Sequence, residues 1–150
     1  MTQILELATI ADLLNQAFQQ KQLDGSITQA MLPQLGRALE PVLQRYLAKE
    51  GVWPTPPVFC RLVNNFVQDG PRVQALLNTR ERDEQALWQK LRAHLIQRTG
   101  KKWPQLSLAE QEEIVDEAWL RVHRYLPGFL FLSRLSSWVE TILHNRGLGW

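Results

Sequence analysis

Apolar residues recur at three- and four-residue spacing along most of the chain, which is the signature of amphipathic helices. Over residues 3–22 the stripe is Leu7, Ala11, Leu14 and Phe18, and Asp24-Gly25 breaks it. Ser26-Ile27-Thr28-Gln29 predicts a capping box. The stretch 27–50 that contains it is apolar at Met31, Leu35, Leu39, Leu43, Tyr46 and Leu47. Pro33 and Pro41 interrupt that stretch. Because proline suits a first turn and not an interior, a kinked or divided helix is expected, with Pro41 opening the second piece and Gly51 closing it. Trp53-Pro54-Thr55-Pro56-Pro57 reads as a stiff connector. Thr55 is placed to cap a helix that turns Val58, Phe59, Leu62, Val63 and Phe66 inward. Gly70-Pro71 is expected to stop that helix, with a short one over 72–78 after it.

A longer helix is predicted over 81–98, with Leu87, Trp88, Leu91, Leu95 and Ile96 as its stripe and Thr99-Gly100 as its end. The start of the next, over 107–122, is marked by a capping box of Ser107 with Glu110. Ile114, Val115, Ala118, Trp119 and Val122 form its apolar stripe, while Glu110, Glu113, Asp116, Glu117 and Arg121 fall on other faces. After a break at Tyr125-Leu126-Pro127-Gly128, a shorter helix is predicted over about 133–146, with Leu135, Trp138, Val139 and Ile142 on one face. No strand candidate rivals these helices and no repeat is evident. The predicted fold class is all-α, a multi-helix bundle.

Composition narrows the picture only a little. The chain has 150 residues, 45% hydrophobic and 21% charged, enough for one domain or two small ones with a buried core. A formal net charge of +2 is too small to announce a nucleic-acid binder. Cys60 is the single cysteine, which excludes an internal disulfide and suits a reducing compartment. No run is long and apolar enough for a membrane span, and the N-terminus lacks the order of a signal peptide, so a soluble cytoplasmic protein is expected.

Candidate chemistry is sparse. His94, His123 and His144 lie on separate predicted helices without metal-ligand spacing, and Cys60 falls on an apolar face. No phosphate loop, nucleophile elbow or catalytic Ser/His/Asp order is present, so neither an enzyme nor a bound cofactor or metal is expected. Lys90, Arg92, Arg98, Lys101 and Lys102 gather towards the end of the 81–98 helix. They read either as phosphate contacts or as cations suited to a helix C-terminus. Glu113, Asp116 and Glu117 fall at spacings of three and four and make one acidic patch. Trp138 reads either as core or as an aromatic surface for unpaired bases.

The segment EEIVDEAWLRV at 112–122, followed by LSSWVETILHNR at 135–146, resembles region 2 of bacterial sigma-70-type factors. It is most similar to the extracytoplasmic-function class, whose pattern is roughly E-D-L-V-Q-E-x-F-L-x-V-W, a linker, then F-R-T-W-L-x-x-I-A-R-N-R. The resemblance covers about the last half of the chain. It implies a sigma-like helical domain at 79–150, after an N-terminal helical region at 1–78 to which it assigns no role. It further implies a transcription-initiation factor whose partners are core RNA polymerase, through the clamp coiled coil of the largest subunit, promoter DNA and an anti-sigma factor.

By the same resemblance Glu113, Asp116 and Glu117, with Arg121 beside them, bind the polymerase. Trp138, His144, Asn145 and Arg146 meet the −10 strand. Asp116 stands where the family has Gln, which makes the patch more acidic, while Glu140 and Thr141 replace residues that are often basic or aromatic. The chain ends at Gly149-Trp150, before the family's −35-reading helix-turn-helix, which implies a fragment or a shortened relative. The alternative is an all-helical interaction module or regulatory adaptor that kept a sigma-like scaffold without promoter reading.

Overall fold

In a computed structural model, residues 7–78 and 82–148 are described. They form six α-helices: α1 Leu7–Gln19, α2 Leu32–Glu50, α3 Pro56–Leu77, α4 Arg82–Lys102, α5 Leu108–Tyr125 and α6 Leu135–Leu148. Short 3-10 turns at Gln29–Met31 and Leu126–Gly128 complete the order, and no strand occurs among the described residues. The fold class is all-α, as the periodicity predicts. No helix among the described residues is long and apolar enough to cross a membrane.

The chain divides into two compact units, one of residues 1–68 with 128–133, the other of residues 69–127 with 134–150. The division therefore falls inside α3, ten residues before the boundary expected at 78/79, and a segment from between α5 and α6 joins the first unit.

In the first unit α1 buries Ile10, Leu14 and Ala17, and α2 buries Leu32, Leu35, Leu39, Val42 and Leu43. Phe59, Leu62 and Val63 from the start of α3 complete this core together with Phe129, Leu130 and Phe131. Those last three lie in a stretch to which no role is assigned by periodicity. Asn65 Nδ2 donates to the Phe131 carbonyl at 2.9 Å, and the Phe66 and Phe131 rings meet edge to face at 5.0 Å. The predicted capping box at Ser26 does not form. Asp24 Oδ1 instead accepts bonds from Ser26 N at 2.9 Å and Ser26 Oγ at 2.7 Å, and Ile27 is buried after that turn.

α2 is one helix through Pro41, not two. Pro41 removes the bond to the Arg37 carbonyl, but both residues are exposed and water can satisfy that oxygen. Leu39, Val42 and Leu43 around it are at most 3% exposed, and their burial outweighs the lost bond. α3 likewise continues through Gly70-Pro71, with Pro71 exposed and Val73 and Leu76 buried. Gly51 closes α2 as expected, in the left-handed region at φ 76°, with its N–H on the Leu47 carbonyl at 2.8 Å.

α1 ends in a Schellman motif whose left-handed residue is Lys21, at φ 56°. Gln22 N donates to Ala17 O and Lys21 N to Phe18 O, each at 3.0 Å. A side chain at that φ costs on the order of 1 kcal/mol relative to glycine. Lys21→Gly is therefore expected to raise the denaturant midpoint by an equivalent amount in a urea titration. A lowered midpoint would show that the lysine stabilises this turn in some other way.

The second unit holds the end of α3 with α4, α5 and α6; α5 packs against α4 and against α6. Its core is Val73, Leu76, Trp88, Leu91, Leu95, Ile114, Val115, Ala118, Val122, Leu126, Leu135, Val139 and Leu143. Ile96, predicted inside, is 52% exposed. α4 runs past Gly100 to Lys102 and stops before Trp103-Pro104, since proline disfavours a helical residue ahead of it. Gly100 therefore serves as an interior residue of α4. Across from it, Gln111 Nε2 donates to the Trp103 and Leu106 carbonyls at 3.0 and 3.1 Å and so satisfies the turn that links α4 to α5.

Candidate nucleic-acid and polymerase interface

α5 begins as its side chains require. Glu110 N donates to Ser107 Oγ and Ser107 N to Glu110 Oε1, each at 3.1 Å, which closes the capping box. These bonds hold the Glu110 carboxyl below the usual carboxylate range. With Ile114, Val115, Ala118 and Val122 turned inward, Glu112, Glu113, Asp116 and Arg121 are exposed and Glu117 is half-buried.

The acidic patch is only partly open. Arg92 of α4 makes an ion pair with Asp116, and Arg121 Nη2 lies 3.5 Å from Glu117 Oε1 one turn along α5. Glu112 and Glu113 have no ion pair among the described residues. Leu120 lies on this same outward surface, one turn on from Asp116 and Glu117, and is 62% exposed.

α6 owes its start to a residue that the sequence pattern does not single out. Asp69, 6% exposed, accepts Leu135 N at 2.8 Å, Arg134 Nε at 2.9 Å and Arg134 Nη2 at 3.1 Å. It thus caps the helix from another element of the same unit. Burial pushes its carboxyl up, but the bonds from Arg134 and Leu135 and the charges of Arg134 and Arg72 outweigh that and hold it below the ordinary aspartate range.

On α6 the buried face is Leu135, Val139 and Leu143; Leu143 is absent from the predicted stripe, and Ile142 is half-buried. Trp138 sits half-buried on the flank of that face, followed at three and seven residues by the exposed Thr141 and Asn145. Exposed His144 lies about 120° round the helix from Trp138. Its ring stacks on Trp103, with centroids 6.5 Å apart. The Arg146 side chain lies outside the described residues. The α6 candidates are thus divided, with Trp138 and Asn145 on one flank and His144 on another face.

The basic cluster is drawn apart in the same way. Arg92 goes to Asp116, while Arg98 and Lys102 go to Glu140 of α6, Lys102 Nζ at 3.2 Å. His94 Nε2 lies 3.7 Å from the same carboxylate. Burial raises the Glu140 pKa, and the bonds and charges of Arg98 and Lys102 more than reverse this, so the net shift is downward. Neither phosphate contact nor helix dipole is needed to account for these three cations. They link α4 to its neighbours. Lys90 and Lys101 are exposed.

Trp119, predicted on the apolar stripe, is half-buried in an aromatic cluster. Its ring meets His123 edge to face at 4.2 Å, and His123 stacks on Trp88 at 3.5 Å. Arg92 covers the Trp119 ring at 5.4 Å, a second contact for that guanidinium. Among the described residues no three His, Cys, Asp or Glu side chains come together as a metal site would need.

Comparison with known proteins gives no match, whether to a family model, to a curated protein or to a solved structure.

Proposed function

We propose that the second unit is a sigma-type transcription-initiation module. In this reading α5 docks on the basic coiled coil of the polymerase clamp through Glu113, Asp116, Glu117 and Arg121. α6 meets the unpaired −10 strand with Trp138, Asn145 and Arg146, and His144 is set aside by its position on another face. The supporting observation is the α5–α6 pair itself. The helix bearing the EEIVDEAWLRV segment turns its carboxylates outward and packs by its other face on the helix that carries Trp138 and Asn145 on an accessible flank. An outward acidic patch in which Glu112 and Glu113 have no ion pair among the described residues attracts a basic partner and speeds encounter.

The test is charge reversal. Asp116→Lys with Glu117→Lys is expected to weaken binding of core polymerase at least about tenfold. Thermal stability should change little, because exposed ion pairs contribute about 1 kcal/mol or less. Arg92→Ala, which releases Asp116, is expected to bind at least as tightly as the parent. If the double variant binds polymerase as well as the parent does, the docking surface is elsewhere.

A second reading is favoured by the pairing of Arg98 and Lys102 with Glu140, which draws two cations of the basic cluster away from phosphate. It holds that the chain is an all-helical adaptor that kept the scaffold without promoter reading. The two readings part on single-stranded −10 DNA offered with polymerase. Salt-dependent binding with a fluorescence change lost in Trp138→Phe supports the first, and no binding supports the second.

A further inference from the structure

One side of α1, the turn after it and the proline connector ahead of α3 enclose a half-open cavity of about 330 Å³ within the first unit. That volume falls at the lower end of the range for small-molecule sites, which are mostly apolar with a few placed polar groups. Leu13, Ala17, Trp53, Pro54 and Phe59 supply apolar and aromatic walls. None of the described lining residues is an Asp, Glu, Lys, Arg or His, so a charged ligand would leave water without a compensating partner among them.

Apart from the Thr9 hydroxyl and the Cys60 thiol, the polar side chains of the lining are amides. Gln16, Gln20 and Gln22 line the cavity, and the side-chain NH2 groups of all three lack a partner among the described residues. Gln22 is held from three directions. Its N–H donates to Ala17 O at 3.0 Å, its carbonyl accepts Asn64 Nδ2 at 3.3 Å, and its Oε1 accepts the Cys60 thiol at 3.4 Å. The left-handed Lys21 beside it is the backbone cost of that placement. Pro54 and Pro56 fix their own backbone and restrain Trp53 and Thr55, so the walls are formed before any ligand arrives. Such preorganisation reduces the ordering cost of binding.

We propose that this cavity is a binding site for an uncharged aromatic small molecule, which lies against Trp53 and Phe59 and takes hydrogen bonds from the glutamine amides. Cys60 serves as a wall of the site, and burial pushes its thiol pKa up, so it reacts only slowly. The site is independent of the polymerase reading, which concerns the other unit.

Two probes that share one aromatic frame and differ by a charge test this on the full chain. Neutral phenylnaphthylamine is expected to bind saturably, one per chain, with enhanced emission. Anilinonaphthalene sulfonate should bind at least about tenfold more weakly, because its sulfonate finds no cation among the described lining residues. Leu13→Trp, which fills the cavity, should abolish binding of the neutral probe while helical circular dichroism is retained. Cys60 is the chain's one cysteine, so its slow alkylation by iodoacetamide at alkaline pH, where the thiolate fraction is larger, reads the site without any substitution. Saturating neutral probe should slow that reaction at least about tenfold. Equal affinity for the two probes, or a Cys60 alkylation rate unchanged by the neutral one, would overturn the proposal.

Discussion

Asp69→Ala is expected to cost about 2–3 kcal/mol of folding stability, a large share of the total for a domain of this size. The alanine leaves the buried Leu135 N–H without an acceptor and removes both bonds from Arg134. Arg134 itself is half-exposed and rehydrates when released, so the orphaned helix-start donor carries most of the cost. Arg134→Ala should therefore lose clearly less. Asp69→Asn, which keeps an acceptor for Leu135 but not the charge, should fall between them. Urea titrations of the three variants check the order. If the alanine variants at 69 and 134 lose the same amount, the ion pair and not the cap is what matters.

The pH dependence follows from the same carboxyl. Its pKa is lower in the folded chain than in the unfolded one. The stability it contributes is therefore present in full above the ordinary aspartate value of about 3.9, and is lost as pH falls through the lower folded value. Glu140, shifted the same way, adds to the loss in the same acid range. Stability measured from pH 6 downwards is expected to fall less steeply in Asp69→Asn than in the parent, and a parallel fall would contradict the assigned shift.

Ile114→Ala is the second large expected effect, at about 2–5 kcal/mol, because the side chain is fully buried on the face of α5 turned to the core. Leu120→Ala, six residues on in the same helix and 62% exposed, should change stability by no more than about 0.5 kcal/mol. The pair is a check on the rotation of α5. That rotation also decides which carboxylates face outward, so a large cost at Leu120 with a small one at Ile114 would remove the basis of the docking surface.

Much of this architecture is legible locally. The α5 start follows from Ser107 and Glu110, which lie three residues apart and need no partner from elsewhere. Gly51 ends α2 by the same kind of short-range logic. Pro41, Gly70-Pro71 and Gly100 also carry local stop signals, yet the helices pass through all of them. At the two prolines the apolar neighbours are buried while the ring stays exposed, so packing outweighs a preference worth about 3 kcal/mol. Gly100 carries a preference of only about 1 kcal/mol against the helix interior.

The candidate site was legible as residue types and not as an arrangement. Glu113, Asp116 and Glu117 are neighbours by helical spacing, but which of them is open depends on Arg92, 24 residues before Asp116. The basic cluster looked like a phosphate surface or a dipole partner until Glu140, 42 residues beyond Arg98, drew two of its members away. Asp69 and Arg134 are 65 residues apart, and no spacing rule connects them.

From its sequence alone this chain is committed to helices, to most of the apolar positions that α2, α3 and α5 bury and to the points where α2 ends and α5 begins, because periodicity and caps act over one or two turns. Only the tertiary structure decided where α2, α3 and α4 continue, that Phe129–Phe131 belongs to the first core, and which charges remain free. Those outcomes depend on burial and on ion partners tens of residues away, and such partners exist only once the chain has folded.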